Sequence, residues 1–314
     1  MRSRTLGKTG PVVSELALGT WGLSGDAYGP VDEIEQERVL RRALDMGFTL
    51  IDTADAYGAG RMESRIGKAI EGRHDVFVVT KGGIDRTSSP PRRRFDAQYL
   101  RGAVERSLRR LGRERIDVYL LHNPTENVLL GEIAVPTLVD LKKEGKIGQW
   151  GVSAGDAAVG RAALQAGAEV IELAYNLMHT AALNHLAGEL IVCGAGLLAR
   201  STLAHGLLAG RWAKDQEFPA GDHRAERWTK AELERRIEHL TRFRFLVHGD
   251  VRTPVSAAVR FVLSNPVVSS AVLGPRNVAQ LEDVVREVGV GPLYLREVAL
   301  SHLPRISESA GIET

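Results

Sequence analysis

Asp52, Asp55 and Tyr57 close an apolar run in FTLIDTADAYGAG (48–60), and Lys81 and His122 end two further apolar runs, VFVVTK (76–81) and IDVYLLH (116–122). These residue types can do proton chemistry together. A phenol with a pKa of about 10 exchanges protons poorly at neutral pH. An ammonium beside it stabilises the phenolate and lowers that pKa, and an aspartate holds the ammonium in place. A histidine N–H completes a pocket that can orient a carbonyl oxygen. Such a set is a tuned general acid for a developing alkoxide, an effect of about 10²–10⁴ in rate. Each member alone has an ordinary explanation. Asp and Gly shape turns, rim charges face water, and strand-end histidines satisfy local hydrogen bonds. The coincidence on successive strands carries the reading.

The elements that must deliver these residues alternate along the chain. Apolar runs at 15–20, 49–54, 76–81, 116–122, 149–154, 170–176, 196–203 and 268–274 read as strands. Between them lie helical spacings such as ERVLRRALDMG, ESRIGKAIEG and YLRGAVERSLRRLG. Asp96 is placed to cap the last of these and Gly112 to stop it. Strand–helix alternation implies right-handed units and a parallel sheet. Eight units at this length predict an α/β fold, a closed (β/α)8 TIM barrel, with residues 1–314 as one domain and active residues at the C-terminal strand ends. Residues 4–13 predict an N-terminal β-hairpin closing the floor. Residues 204–230 predict a long lid or binding loop after strand seven. The tail from about Leu293 reads as a terminal helix.

Composition narrows the function classes. An apolar fraction of 44% supports a substantial core, and 41 basic against 39 acidic residues leave a formal charge of +2. No global field draws the chain to nucleic acid or to a membrane surface. The single cysteine, Cys193, excludes an internal disulfide and fits a reducing compartment. With no segment of signal-peptide or membrane-spanning length, the expectation is a soluble cytoplasmic protein acting on a small molecule. No metal ligand set stands out, and the oligomeric state is not legible. If a nicotinamide supplies hydride to the site, it must bind without a Rossmann fingerprint. GAG (58–60) and GVG (289–291) lack the third glycine, and GKT (7–9) lacks the upstream glycine of a P-loop.

Across nearly its whole length the sequence resembles an aldo-keto reductase. The matching stretches include RTLGKTGPVVSELALGTWG, GFTLIDTADAYGAGRMES, VFVVTKGG, SLRRLGRERIDVYLLHNP, GKIGQWGVS, AYNL, HGLLAGRW and VLGPRNVAQLEDV. The resemblance implies a barrel that reduces aldehydes or ketones with NAD(P)H lying extended across its rim. It implies a catalytic tetrad of Asp52, Tyr57, Lys81 and His122, with Tyr57 as the acid, and leaves Asp55 as a turn residue.

The same resemblance implies cofactor contacts from Gly19, Thr20, Trp21 and Asp52 at the first two strand ends. Ser153 matches a serine that binds the nicotinamide carboxamide. Glu172 stands where the family usually has a glutamine, and can accept from the amide but not donate to it. Arg200 stands where many members stack a tyrosine, and a guanidinium can stack too; a rim salt bridge is the alternative. Ser201, Leu203 and Gly206 would meet the pyrophosphate, and Gly274, Arg276, Gln280 and Asp283 the adenosine end. Arg276 could bind a 2′-phosphate. Gln280 and Val284 depart from the residues some members use there, so NADP (NADPH) is preferred and NAD stays open.

Trp21, Tyr57, His122 and Asn123 are the substrate-side candidates, although Trp21 could equally pack at the rim. The run Arg92–Arg93–Arg94 reads as a solvated loop, or as a contact for an anionic substrate. Two alternatives to carbonyl reduction stay open. The same tetrad could run in the oxidative direction as a sugar or alcohol dehydrogenase. A barrel could also serve as a binding or regulatory subunit.

Overall fold

The computed structural model describes residues 1–289 and positions 294, 295, 297, 300 and 303. The helix expected from about Leu293 lies outside the described residues but for those isolated positions. The chain opens with β1 (Ser3–Thr5) and β2 (Val12–Ser14), paired antiparallel in register Ser3↔Ser14. Then come β3 (Leu16–Gly19), β4 (Leu50–Asp52) and β5 (Phe77–Gly82). A two-residue hairpin, β6 (Ile84–Asp85) with β7 (Arg92–Arg93), interrupts the series. It resumes with β8 (Ile116–His122), β9 (Ile147–Ser153), β10 (Val170–Ala174), β11 (Gly196–Arg200) and β12 (Val268–Leu273). The eight strands β3–β4–β5–β8–β9–β10–β11–β12 pair in parallel and close into a barrel.

Two apolar clusters follow from the period-two alternation of strand side chains. Leu50, Val79, Leu120, Val170 and Leu198 fill the barrel interior, together with Leu6 and Val13 from the hairpin that plugs the floor. Ile51, Val78, Leu121, Ile171 and Leu197 pack outward against the helices. This parity positions the site. Two residues beyond each interior side chain stand Asp52, Lys81, His122, Glu172 and Arg200, so all five belong to the top interior layer.

The helices follow their sequence signals. Helix Ala97–Leu111 starts at Asp96, whose side chain accepts from the Tyr99 N–H, and ends at Gly112 in the left-handed region at φ 64°. Most barrel strands end earlier than the apolar runs suggest, although β5 runs one residue further, to Gly82, and β8 ends at His122 as read. β11 stops at Arg200 because Ser201 turns to φ 56°, and β10 stops at Ala174 rather than at residue 176. The loop expected after strand seven contains turns at Ala204–Ala209 and His223–Ala225 and leads into helix Lys230–His239. Among the described residues no helix is long and apolar enough to cross a membrane.

Candidate active site

A cavity of about 870 Å³ opens at the C-terminal ends of the barrel strands. Its innermost layer is ionic. Lys81 is fully buried and donates to Asp52 Oδ2 at 2.5 Å and to the Thr53 carbonyl at 3.0 Å. On its other side Glu172 Oε2 lies 3.1 Å from Lys81 Nζ, and Glu172 Oε1 lies 3.8 Å from Arg200 Nε. Two sealed carboxylates thus share one sealed ammonium. Burial opposes the charge on Lys81, but Asp52 and Glu172 overcome it and hold the ammonium firmly protonated. The surplus negative charge falls on the acids. Burial, then repulsion from Glu172, pushes Asp52 up to about 8 despite its bond to Lys81.

Tyr57 and His122 stand over this layer. Their rings meet edge-on with centroids 6.0 Å apart, and Lys81 Nζ lies 5.5 Å from the Tyr57 ring centroid. The turn after Tyr57 passes through three left-handed residues, Gly58, Ala59 and Gly60. At Gly60 a Cβ would come within 2.8 Å of the Arg110 guanidinium, so glycine is required by both backbone and neighbour. The Gly58 N–H is held by Asp26 Oδ2 at 2.6 Å, fixing the turn to the loop after β3.

The tyrosine corrects a sequence expectation. Burial raises the Tyr57 pKa, and although Lys81 pulls it down, Asp52 and Glu172 push it up again, leaving it above an ordinary phenol. The expected lowering fails because neither the dryness of the site nor its second carboxylate was visible from a strand-end lysine. His122 is driven the other way, to about 3, by burial and then by Lys81, Arg200 and Arg93. It is therefore neutral, with a buried Nδ1 that has no hydrogen-bond partner among the described residues.

Most residues singled out in the sequence line the cavity. Gly19, Trp21, Asp52, Tyr57, His122, Asn123, Ser153, Glu172 and Arg200 surround its inner part, and Ser201, Leu203, Gly206, Gly274, Arg276, Gln280 and Asp283 its outer part. Lys81 lies behind the wall. Thr20 too lies off the cavity lining: it is fully buried, and its hydroxyl donates to the Asp52 carbonyl at 2.9 Å. Asn123 adopts φ 51° and bonds through its N–H to the Ser153 carbonyl, bringing the β8 and β9 ends together. Arg200 also donates to the Ala154 carbonyl at 3.1 Å.

The outer part has the features of an anion cradle. Ser201, Ala204, His205 and Gly206 all take positive φ, and the Ala204 and Gly206 N–H groups bond the Ser201 and Leu203 carbonyls, folding this stretch tightly along the groove. At Gly274 a Cβ would meet only the Gly19 carbonyl oxygen at 3.8 Å, leaving the backbone open to the groove. Arg276 donates to the Gly29 and Pro30 carbonyls, while its buried Nε has no partner. Asp283 reaches Arg211 across the groove at 3.6 Å, tying helix Val278–Gly289 to the lid.

Sequence reasoning missed the clasp that closes this lid. Tyr28 bridges to Asp222, the His223 N–H bonds to the Ala27 carbonyl at 2.8 Å, and the Tyr28 hydroxyl lies 3.2 Å from His205 Nδ1. Arg224 is held by Asp222 at 2.6 Å and stacks on Tyr28 and Phe218. Trp21 packs against Tyr28 and His223 while also lining the cavity, so both of its readings apply. GDAYGP (25–30) carried no separate signal, since its partners are nearly two hundred residues away. The Arg92–Arg93–Arg94 run lies off the cavity lining, with Arg94 paired to Asp85 and Asp96. Among the described residues no cluster of His, Cys, Asp or Glu is arranged to hold a metal ion.

Comparison with known proteins agrees with this geometry. Residues 15–299 match the Aldo/keto reductase family. The Aldo-keto reductase YhdN of Bacillus subtilis is 31% identical over 294 residues, covering 90% of this chain and 87% of that protein. Among solved structures, the holo form of aldo-keto reductase AKR11C1 from Bacillus halodurans superposes with a TM-score of 0.81 at 25% identity, covering 98% and 96% of the two chains. The glycerol dehydrogenase AKR11B4 from Gluconobacter oxydans gives 0.85 at 28% identity over 99% and 96%. The chain belongs to the aldo/keto reductase family.

Proposed function

We propose that this protein is an NADPH-dependent carbonyl reductase that converts an aldehyde or ketone to its alcohol. The observation that carries the reading is the sealed Lys81–Asp52 ion pair beside Tyr57 and neutral His122 in the inner part of the cavity. A nicotinamide cofactor supplies the hydride when bound, and the remaining chemistry belongs to the chain. His122, uncharged, offers a ring N–H to the carbonyl oxygen and orients it. Tyr57 keeps its proton at neutral pH and gives it to that oxygen as negative charge develops there. The Lys81 ammonium stabilises the phenolate left behind, and water returns the proton. One carbonyl, one hydride and one proton become one alcohol.

Ser153, Glu172 and Arg200 form the inner end of the cofactor groove. The tightly turned backbone of 201–206 suits the pyrophosphate, and Arg276, Gln280 and Asp283 the adenosine. NADPH is preferred to NADH because Arg276 and Arg211 put cations at the outer end, where a 2′-phosphate adds charge. The test is nucleotide binding followed by turnover of an aromatic aldehyde such as a nitrobenzaldehyde. NADPH should raise the melting temperature and support reduction more strongly than NADH. Failure of both nucleotides to stabilise the protein would overturn the proposal.

A further inference from the structure

Two residues that depart from the family pattern, Glu172 and Arg200, turn out to be one unit. They stand on adjacent strands, β10 and β11, and Glu172 Oε1 lies 3.8 Å from Arg200 Nε. The other Glu172 oxygen lies 3.1 Å from Lys81 Nζ, and the Glu172 side chain is only 3% exposed. Both Glu172 and Arg200 line the inner cavity. A glutamine and a tyrosine at these positions would be a neutral pair, whereas here the pair is ionic. A guanidinium beside a nicotinamide repels the ring once it is oxidised and cationic, and leaves the reduced, uncharged ring alone. A sealed carboxylate has the opposite preference. It cancels the guanidinium and attracts the oxidised ring.

We infer that Glu172 is a positioning residue that biases the bound cofactor toward its oxidised form, so that this enzyme holds NADP⁺ more tightly, relative to NADPH, than a site with a neutral residue at position 172. The inference rests on the proposed nicotinamide cofactor and concerns its redox balance. No covalent step is added, because the bias is a difference between two binding equilibria. The groups around Glu172 are Lys81 and Asp52 from β5 and β4, Arg200 from β11 and Tyr57, with His122 lining the same inner part of the cavity. Of these, Arg200 and Lys81 offset part of the carboxylate charge, which keeps the expected effect moderate. A site that favours oxidised cofactor retains the nucleotide that alcohol oxidation consumes, and releases it slowly after reduction.

The test compares dissociation constants for NADP⁺ and NADPH in the wild type and in Glu172→Gln, by tryptophan quenching or calorimetry at about pH 9, above the value of about 8 to which Asp52 is pushed. That variant keeps the shape and removes the charge. The ratio of the NADP⁺ constant to the NADPH constant should rise at least about tenfold, since one charge at an effective dielectric of about 20 is worth more than that within about 10 Å and Arg200 with Lys81 offset only part of it. Because Glu172 also raises Tyr57, the rise of alcohol oxidation with pH, in which the phenolate takes the proton, should move to lower pH in the variant. A merely structural role would weaken both nucleotides together and leave the ratio alone. A ratio unchanged within about twofold overturns the inference. Should Glu172→Gln fail to fold, Glu172→Met, an apolar side chain of similar length, is compared with the wild type by the same ratio, and a ratio unchanged within about twofold overturns the idea. If neither nucleotide binds the wild type, the cofactor proposal itself fails, which is a different result.

Discussion

Asp52 and Asp55 lie three residues apart on one turn, and both are pushed upward by burial, Asp52 to about 8 and Asp55 to about 7. Each also faces a second carboxylate, Glu172 for Asp52 and Glu63 for Asp55, with basic groups nearby. Their surroundings nevertheless differ in kind. Asp52 is the last interior residue of β4, lines the cavity and holds Lys81. Asp55 does not line the cavity. It sits towards a closed network in which Glu63 accepts from Thr80 at 2.6 Å and pairs with Arg110 at 2.6 Å. Its backbone N–H bonds the Lys81 carbonyl, pinning the turn to β5, while its Oδ1 is sealed without a partner. A perturbed acid therefore does not by itself mark a reactive site. What separates the two is strand parity and access to the cavity.

The comparison breaks most decisively at Lys81. Lys81→Met leaves Asp52 buried without its counter-ion and Glu172 with Arg200 alone, at 3.8 Å. Breaking a buried pair in this way costs about 3–5 kcal/mol of stability, and loss of the phenolate's partner should lower kcat by about a hundredfold. Denaturant unfolding and steady-state kinetics would check both. Asp52→Asn is the next in size: Glu172 still holds Lys81, so we expect a fall in kcat of about tenfold with nucleotide binding kept. If Asp52→Asn were silent and Asp55→Asn crippling, the assignment of the two aspartates would be reversed.

Asp55→Asn should instead show itself in stability. A carboxyl whose pKa is raised from 3.8 to about 7 on folding takes up protons. Its contribution to stability is therefore fully present below its unfolded pKa and is lost as pH rises through the folded value. Removing the ionisable group should raise the melting temperature at about pH 8, leave it nearly unchanged at about pH 4, and alter kcat by less than about twofold. The smallest effect concerns His122. Because it is held neutral, with its pKa lowered to about 3, kcat for reduction should show no histidine step between about pH 5 and about pH 8. A step there would mean that the ring charges during turnover.

Much of this could be read from the sequence because the signals are local. Leu50 and Asp52, Val79 and Lys81, and Leu120 and His122 are two apart, so placing the strands also places the three ionisable side chains in one layer. The turn roles of Gly58 and Gly60 are equally local. The rest depends on what folding brings close. Glu172 could be matched to a position but not to Lys81 and Arg200, since those contacts require the barrel to close. The dryness that raises Tyr57 is a property of the assembled cavity. The Tyr28–His205 clasp joins two loops that no pattern connects, and Thr20 shows that a strand-end hydroxyl can turn to a neighbouring carbonyl instead of the cavity.

The central claim is that Tyr57 gives the proton, and Tyr57→Phe tests it most directly because it removes one oxygen and little else. The variant should bind NADPH as the wild type does, with kcat for aromatic aldehyde reduction lowered at least about a hundredfold, at the low end of general-acid effects. Full activity in Tyr57→Phe would contradict the account.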